Sequence, residues 1–124
     1  QGVRILLQIC YDLRFPVWSR NRKDYDMAIY VASWPTPRVE VWSALLRARA
    51  IENQCFVAGV NRVGENPACQ YSGGTALIDP YGHTLGACKD GEEGEVTAEI
   101  DLEELNRFRQ KFPVLDDADA FEIM

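Results

Sequence analysis

The residues best equipped for chemistry stand in QICYDLRFP, residues 8–16, where an apolar run stops at Cys10 and the chain turns through Tyr11, Asp12, Leu13 and Arg14 to Pro16. A thiol is a weak nucleophile until it is deprotonated. The start of a helix, with free N–H groups and a partial positive charge, moves a cysteine toward that state. The same turn would aim the Tyr11 backbone N–H at an oxygen developing beside the sulfur, one half of an oxyanion hole. The competing reading is a packed thiol, because free cysteine is among the most buried residue types and the neighbouring residues offer no base. His83 is the single histidine. A Cys10–His83 dyad is therefore the one cysteine–histidine pairing available to this thiol, although a histidine in IDPYGHTLG reads as a solvated turn residue.

The elements that must position Cys10 follow from apolar patterning. Residues 3–9 (VRILLQI) read as a strand, with Pro16 opening a short helix through VWSRN. A second strand over 27–33 leads into WPTP, where Thr36 reads as an N-cap, Pro37 as the first helical residue, and the helix runs to about Asn53. CFVAGVNR (55–62) is a third strand. GENPACQYSGG is rich in turn residues, with Gly73 and Gly74 bending the chain between strands. TALIDP, PYG and EVTAEID read as antiparallel strands around a turn, and a short polar helix begins at Leu102. The order predicts an α/β fold with a mixed sheet, its first three strands parallel because helical crossovers join them. ILLQI, AIYVA and FVAGV are apolar at consecutive positions, the mark of strands buried on both faces. Two helices cover one face, so a partner chain or a missing part of the protein must cover the other.

On the long helix, Val41, Leu45 and Ala48 define an apolar face at the 3.6-residue period, and Glu52 falls on it beside Arg49. A carboxylate there needs a partner. The simpler reading is a structural ion pair with Arg14, Arg49 or Arg62, and the sharper one is an acid serving the site.

Composition narrows the function classes. The 124 residues, 47% hydrophobic and 26% charged, suit one globular domain. A net charge of −6 with no basic run argues against nucleic acid, and no stretch approaches the ~20 apolar residues of a membrane span. Cys10, Cys55, Cys69 and Cys88 are widely spaced, unlike a zinc site or a disulfide framework, which favours a reducing, cytoplasmic setting.

ICYDLRFP resembles the nucleophile motif of the nitrilase superfamily, the carbon–nitrogen hydrolases. YDMAIYVASWP, WSALLRARAIENQ, VAGVNRVG and YSGGTALIDPYG match family segments in order. RFPVWSRN, RARAIENQ and KFPVLDDADAF resemble the ω-amidase branch, which hydrolyses the terminal amide of 2-oxoglutaramate and related ω-amido acids. The resemblance implies a Glu-Lys-Cys triad in which only the cysteine maps here, as Cys10, with the Tyr11 N–H beside it. The glutamate and lysine precede the cysteine in such proteins, and this chain begins nine residues before it. Lys23, Lys89 and Lys111 match no triad position. Residues 1–124 are then expected to form the carboxy-terminal half of an αββα four-layer sandwich, the absent half carrying Glu and Lys. The resemblance further implies a substrate pocket lined by Ala32, Ser33, Trp34 and Pro35, with Asp12 and Arg14 bracing the elbow. It implies no metal or organic cofactor, a small-molecule amide substrate, and homo-oligomers contacting through the long helix and tail. The alternative is a non-catalytic fragment or an assembly domain that keeps the fold.

Overall fold

The computed structural model describes residues 2–124. A five-stranded sheet runs in the order β1 (Ile5–Ile9), β2 (Met27–Ala32), β3 (Phe56–Asn61), β6 (Ala76–Ile78) and β7 (Thr84–Ala87); β4 (Val63–Glu65) and β5 (Gln70–Ser72) form a separate hairpin. The first three strands are parallel, as their crossovers require, and β6 and β7 are antiparallel to their neighbours. Helix α1 (Val39–Glu52) connects β2 to β3, and α2 (Leu102–Lys111) follows the sheet. No helix of the described residues is long and apolar enough to cross a membrane.

Several local expectations change. The first crossover contains no α-helix but two 3-10 turns, Cys10–Arg14 and Pro16–Ser19. Thr36 does not cap α1; it opens a 3-10 turn, Thr36–Arg38, and the α-helix begins at Val39. The hairpin β4–β5 lies within the stretch read as loop. The last strand is TLGA, not EVTAEID: residues 94–101 pair with no strand, and Val96 lies over Gly86, where a Cβ would come within 2.6 Å of it. At the end of that segment Asp101 caps α2, its Oδ1 accepting from the N–H groups of Glu103 (2.9 Å) and Glu104 (3.2 Å).

The inward face of α1 is also one step from the expected one. Trp42, Leu46, Arg49 and Ala50 are buried, Val41 is exposed, and Leu45, Ala48 and Glu52 are half-buried. Gly59 explains the phase. A side chain there would come within 2.4 Å of Leu46 Cδ1 and 2.9 Å of Trp42 Cζ2, so α1 lies directly on β3 through the two large apolar residues of its stripe.

Under α1 the sheet presents Ala28, Tyr30, Val57 and Ile78, all buried. The opposite face is largely bare. Leu7 is 72% exposed, and Ile9, Val31 and Val60, aligned across three strands, are exposed as well. Contiguous apolar surface of this kind marks an interface.

At the amino-terminal end of the parallel strands, Asp26 joins three segments. Its Oδ1 accepts from Arg4 Nη2 (3.0 Å) and Arg109 Nη1 (3.1 Å), and its Oδ2 accepts from the Arg4 backbone N–H (3.1 Å). Arg109 also donates to the Gln54 carbonyl (3.0 Å from Nε), tying α2 to the start of β3. Burial pushes the Asp26 carboxyl up, but the hydrogen bonds and charge of Arg4, together with Arg109, outweigh it and hold the group below its ordinary 3.8. A carboxyl that titrates lower in the folded chain contributes stability above its unfolded value, and that contribution is lost as pH falls through the folded value. Urea midpoints measured from pH 6 to pH 2.5 should therefore fall steeply below about pH 4. In Asp26→Asn the midpoint at neutral pH should drop and the acid slope should flatten; an unchanged slope would refute this assignment.

Candidate active site

Cys10 and the segment 33–35 meet because they leave neighbouring parallel strands at the same end. Ile9 pairs with Val31 in register, so the residues after β1 and β2 emerge side by side at the carboxyl ends, where open α/β sheets form their crevices. There a cleft is lined by Cys10, Tyr11, Arg14, Ser33, Trp34, Pro35 and Arg38. Ala32 ends β2 and is not part of this lining; Asp12, Arg49 and Glu52 also lie outside it.

Cys10 adopts φ +44°, in the left-handed region that a residue with a side chain rarely occupies. Such a conformation costs on the order of 1–3 kcal/mol and persists only where its surroundings enforce it. Those surroundings are identifiable. Asp12 Oδ2 accepts from the Ile9 N–H (3.0 Å), folding the turn back onto the strand end. Leu13 is fully buried, and its carbonyl accepts from Arg49 Nε (3.1 Å) and Nη2 (2.6 Å) across from α1. Arg49 Nη1 in turn meets Glu52 Oε2 at 3.2 Å. The partner of Glu52 is thus Arg49, not Arg14 or Arg62, and neither member of the pair lines the cleft. Tyr11 is the second residue of the 3-10 turn, where such turns leave N–H groups without an internal acceptor.

The far wall is Trp34, 4% exposed. Its ring lies 5.4 Å from that of Trp42, its Nε1 donates to the Arg38 carbonyl (2.8 Å), and the Arg14 guanidinium sits 5.0 Å above it. Sequence reasoning missed the residue that holds this wall. Asn61, buried at the end of β3, accepts from the Trp34 N–H through Oδ1 (2.7 Å) and donates through Nδ2 to the carbonyls of Trp34 (3.0 Å) and Gly73 (2.7 Å). A lone amide closing the apolar run FVAGVN was the available signal, since a buried amide must find partners.

His83 is not part of the site. It is exposed in the β6–β7 turn, stacked on Tyr81 with Nδ1 3.5 Å from Asp79 Oδ2, and Ile78 pairs with Val57 at the opposite end of β3 from the cleft. A Cys10–His83 dyad is thereby ruled out for this fold. Lys23 pairs with Asp116, and Lys89 lies on a groove beside Arg62 and Glu92. Among the described residues, the cleft lining holds no carboxylate, lysine or histidine. Cys55, by contrast with Cys10, is fully enclosed, and burial pushes its thiol up to about 12.

Residues 1–110 match the carbon–nitrogen hydrolase family model. The chain belongs to that family. Within it, the chain groups with ω-amidases: it is 50% identical to the ω-amidase YafV of Escherichia coli over 99% of its own length and 48% of that protein's. It is 48% identical to the 2-oxoglutaramate amidase of Bacillus subtilis over 94% of its length and 45% of that protein's. Its fold superposes with a TM-score of 0.95 and 44% identity on XC1258 from Xanthomonas campestris, a family member whose crystal structure holds an arsenic adduct in the active site, covering all of this chain and 50% of that one. The chain spans about half the length of the curated relatives it matches.

Proposed function

We propose that this chain supplies the nucleophile of an amidase that removes the terminal amide of a small ω-amido acid of the 2-oxoglutaramate type. The observation that carries the reading is Cys10, held at positive φ where β1 ends, opening onto a cleft beside a turn whose Tyr11 N–H is free to meet an oxyanion. The similarity to ω-amidases supplies the substrate class.

The chemistry runs in two steps. The thiolate attacks the amide carbon and forms an S–C bond. The C–N bond then breaks, and ammonia leaves with a proton from a glutamate. Water gives a proton to that glutamate and attacks the thioester carbon, forming a C–O bond as the C–S bond breaks, which restores the thiolate. The cleft lining contains no base or oxyanion lysine of its own, so we infer that an amino-terminal half carrying Glu and Lys completes the site and covers the bare sheet face as the other half of an αββα sandwich. Ser33, Trp34 and Pro35 act as pocket walls; Asp12, Arg14, Arg49 and Glu52 support the elbow. We further infer homo-oligomers, supported by exposed Tyr11, Phe15 and Trp18 beside the elbow, and a cytoplasmic setting, supported by four unpaired cysteines. The lack of a base in the cleft lining also favours a second reading, a non-catalytic fragment or assembly domain in which Cys10 is a relic.

A trapped intermediate separates the two. With the chain paired to a segment carrying the glutamate and lysine, acid-quenched turnover of 2-oxoglutaramate should leave an acyl group on the peptide containing Cys10, seen by mass spectrometry. Ammonia release that continues with no adduct, and after Cys10 is alkylated, would exclude the nucleophile role.

A further inference from the structure

The cleft beside Cys10 has a distinctive charge. Two of its seven lining residues are arginines and none is acidic, in a chain with 19 acidic residues. Most of the other arginines have partners: Arg4 and Arg109 share Asp26, Arg49 holds Glu52, Arg20 donates to the Glu52 carbonyl and Arg47 to Ser43 Oγ, and Arg22 and Arg62 lie over the rings of Phe121 and Tyr71. Arg14 lacks a carboxylate partner but rests over the Trp34 ring.

Arg38 differs from these, and unlike Arg107, an exposed and likewise unpartnered residue of α2, it lines the cleft. Among the described residues, its guanidinium has no ion-pair partner, no hydrogen-bond acceptor and no aromatic ring beneath it. Its backbone, by contrast, is fixed: its N–H donates to the Pro35 carbonyl (3.0 Å) and its carbonyl accepts from Trp34 Nε1 (2.8 Å). It is a free cationic fork on an anchored base, at the rim of a cleft that begins at a thiol. A solvated surface arginine would have the same exposure. It would not need its backbone tied to the pocket wall, nor a lining cleared of every carboxylate.

We propose that Arg38 is the specificity-determining residue of the cleft, clamping the free carboxylate of an amido acid while the amide carbon lies against Cys10 Sγ. This rests on the acyl-transfer reading above. The intervening methylenes would run along Trp34 and Pro35, and the planar guanidinium offers the paired N–H groups that a carboxylate accepts bidentately. Neutral amides of the same length fill the same space and leave the fork unused. The cleft therefore selects amides of dicarboxylic acids over plain aliphatic amides.

The test compares glutaramate with pentanamide, which has the same chain length and no carboxylate, using the chain together with the glutamate- and lysine-bearing segment. The ratio of kcat/KM for the two should favour glutaramate and fall by about 10- to 100-fold in Arg38→Met, chiefly through KM. Arg38→Lys should recover part of the preference. A ratio unchanged in Arg38→Met, whether both rates hold or both fall together, overturns the proposal. A second measurement needs no turnover. Glutarate binding to the Cys10→Ala variant, followed by calorimetry, should weaken at least about tenfold when Arg38→Met is added. Equal affinities would overturn the clamp; glutarate held through Arg38 in an assembly that releases no ammonia would keep it and refute the acyl-transfer reading.

Discussion

Replacing Cys10 by alanine should reduce amide hydrolysis on the order of 10⁴-fold or more, because the reaction loses the atom that forms the bond to carbon and no other group in the cleft can replace it. Ser33 is the remaining hydroxyl of the lining besides the Tyr11 phenol, and neither has a base beside it among the described residues. Cys55 is sealed under α1 with its thiol pushed up to about 12, so it stays protonated and out of reach at neutral pH. Cys10→Ser should be nearly as inactive, since it keeps the shape of the elbow and substitutes a hydroxyl far less acidic than a thiol. Folding should be little affected. Cys10 is only half-buried, and alanine tolerates φ +44° no worse than cysteine does. The measurement is initial ammonia release at saturating amide, with a urea midpoint for each variant. Activity within about tenfold of the parent in Cys10→Ala, at equal stability, would remove the nucleophile assignment.

The second large effect belongs to Arg49, and it is an effect on stability first and on chemistry as a consequence. Arg49→Met should destabilise the chain by about 2–4 kcal/mol, because the Leu13 carbonyl would lose both of its buried donors while Glu52 lost its partner. Arg49 is 5% exposed, so water cannot readily take over those bonds. Glu52 is half-exposed and recovers solvation, which keeps the expected cost below that of breaking a fully buried pair. Arg49→Lys should recover little, since a single ammonium cannot bridge the carbonyl and the carboxylate as the fork does. The turn that begins at Cys10 is held from α1 by these two donations. A variant that remains folded should therefore show a loss of turnover larger than its loss of substrate affinity, as expected when a nucleophile is displaced by a fraction of an ångström. A urea midpoint within error of the parent would show that the Leu13 carbonyl finds another donor.

Much of this architecture was legible before any coordinates. Three continuous apolar runs, each joined to the next by a crossover, require parallel strands, and the first three strands are parallel, with α1 on one face and Leu7, Ile9, Val31 and Val60 exposed on the other. The elbow at Cys10 was legible too, because an apolar strand that stops at CYDLRFP has to turn there. What failed were the fine choices. The helical period followed through Val41, Leu45 and Ala48 placed the inward stripe of α1 one step away; Trp42 and Leu46 take that place because Gly59, distant in sequence, leaves room for them. EVTAEID alternates like a strand, yet the sheet's edge was already occupied by TLGA, and Val96 packs across it instead.

By itself, then, the sequence determined the family, the parallel order of the first strands and the position of the thiol at a strand end, since these depend on local pattern and chain direction. Tertiary structure alone decided which residues meet that thiol. Arg49 reaches Leu13 across 36 positions, Asn61 holds Trp34 across 27, and Arg38 reaches the rim of the cleft through the turn those contacts set. Such pairings leave no periodic trace in a chain, because a side-chain-to-carbonyl bond constrains distance in space and imposes nothing on separation in sequence.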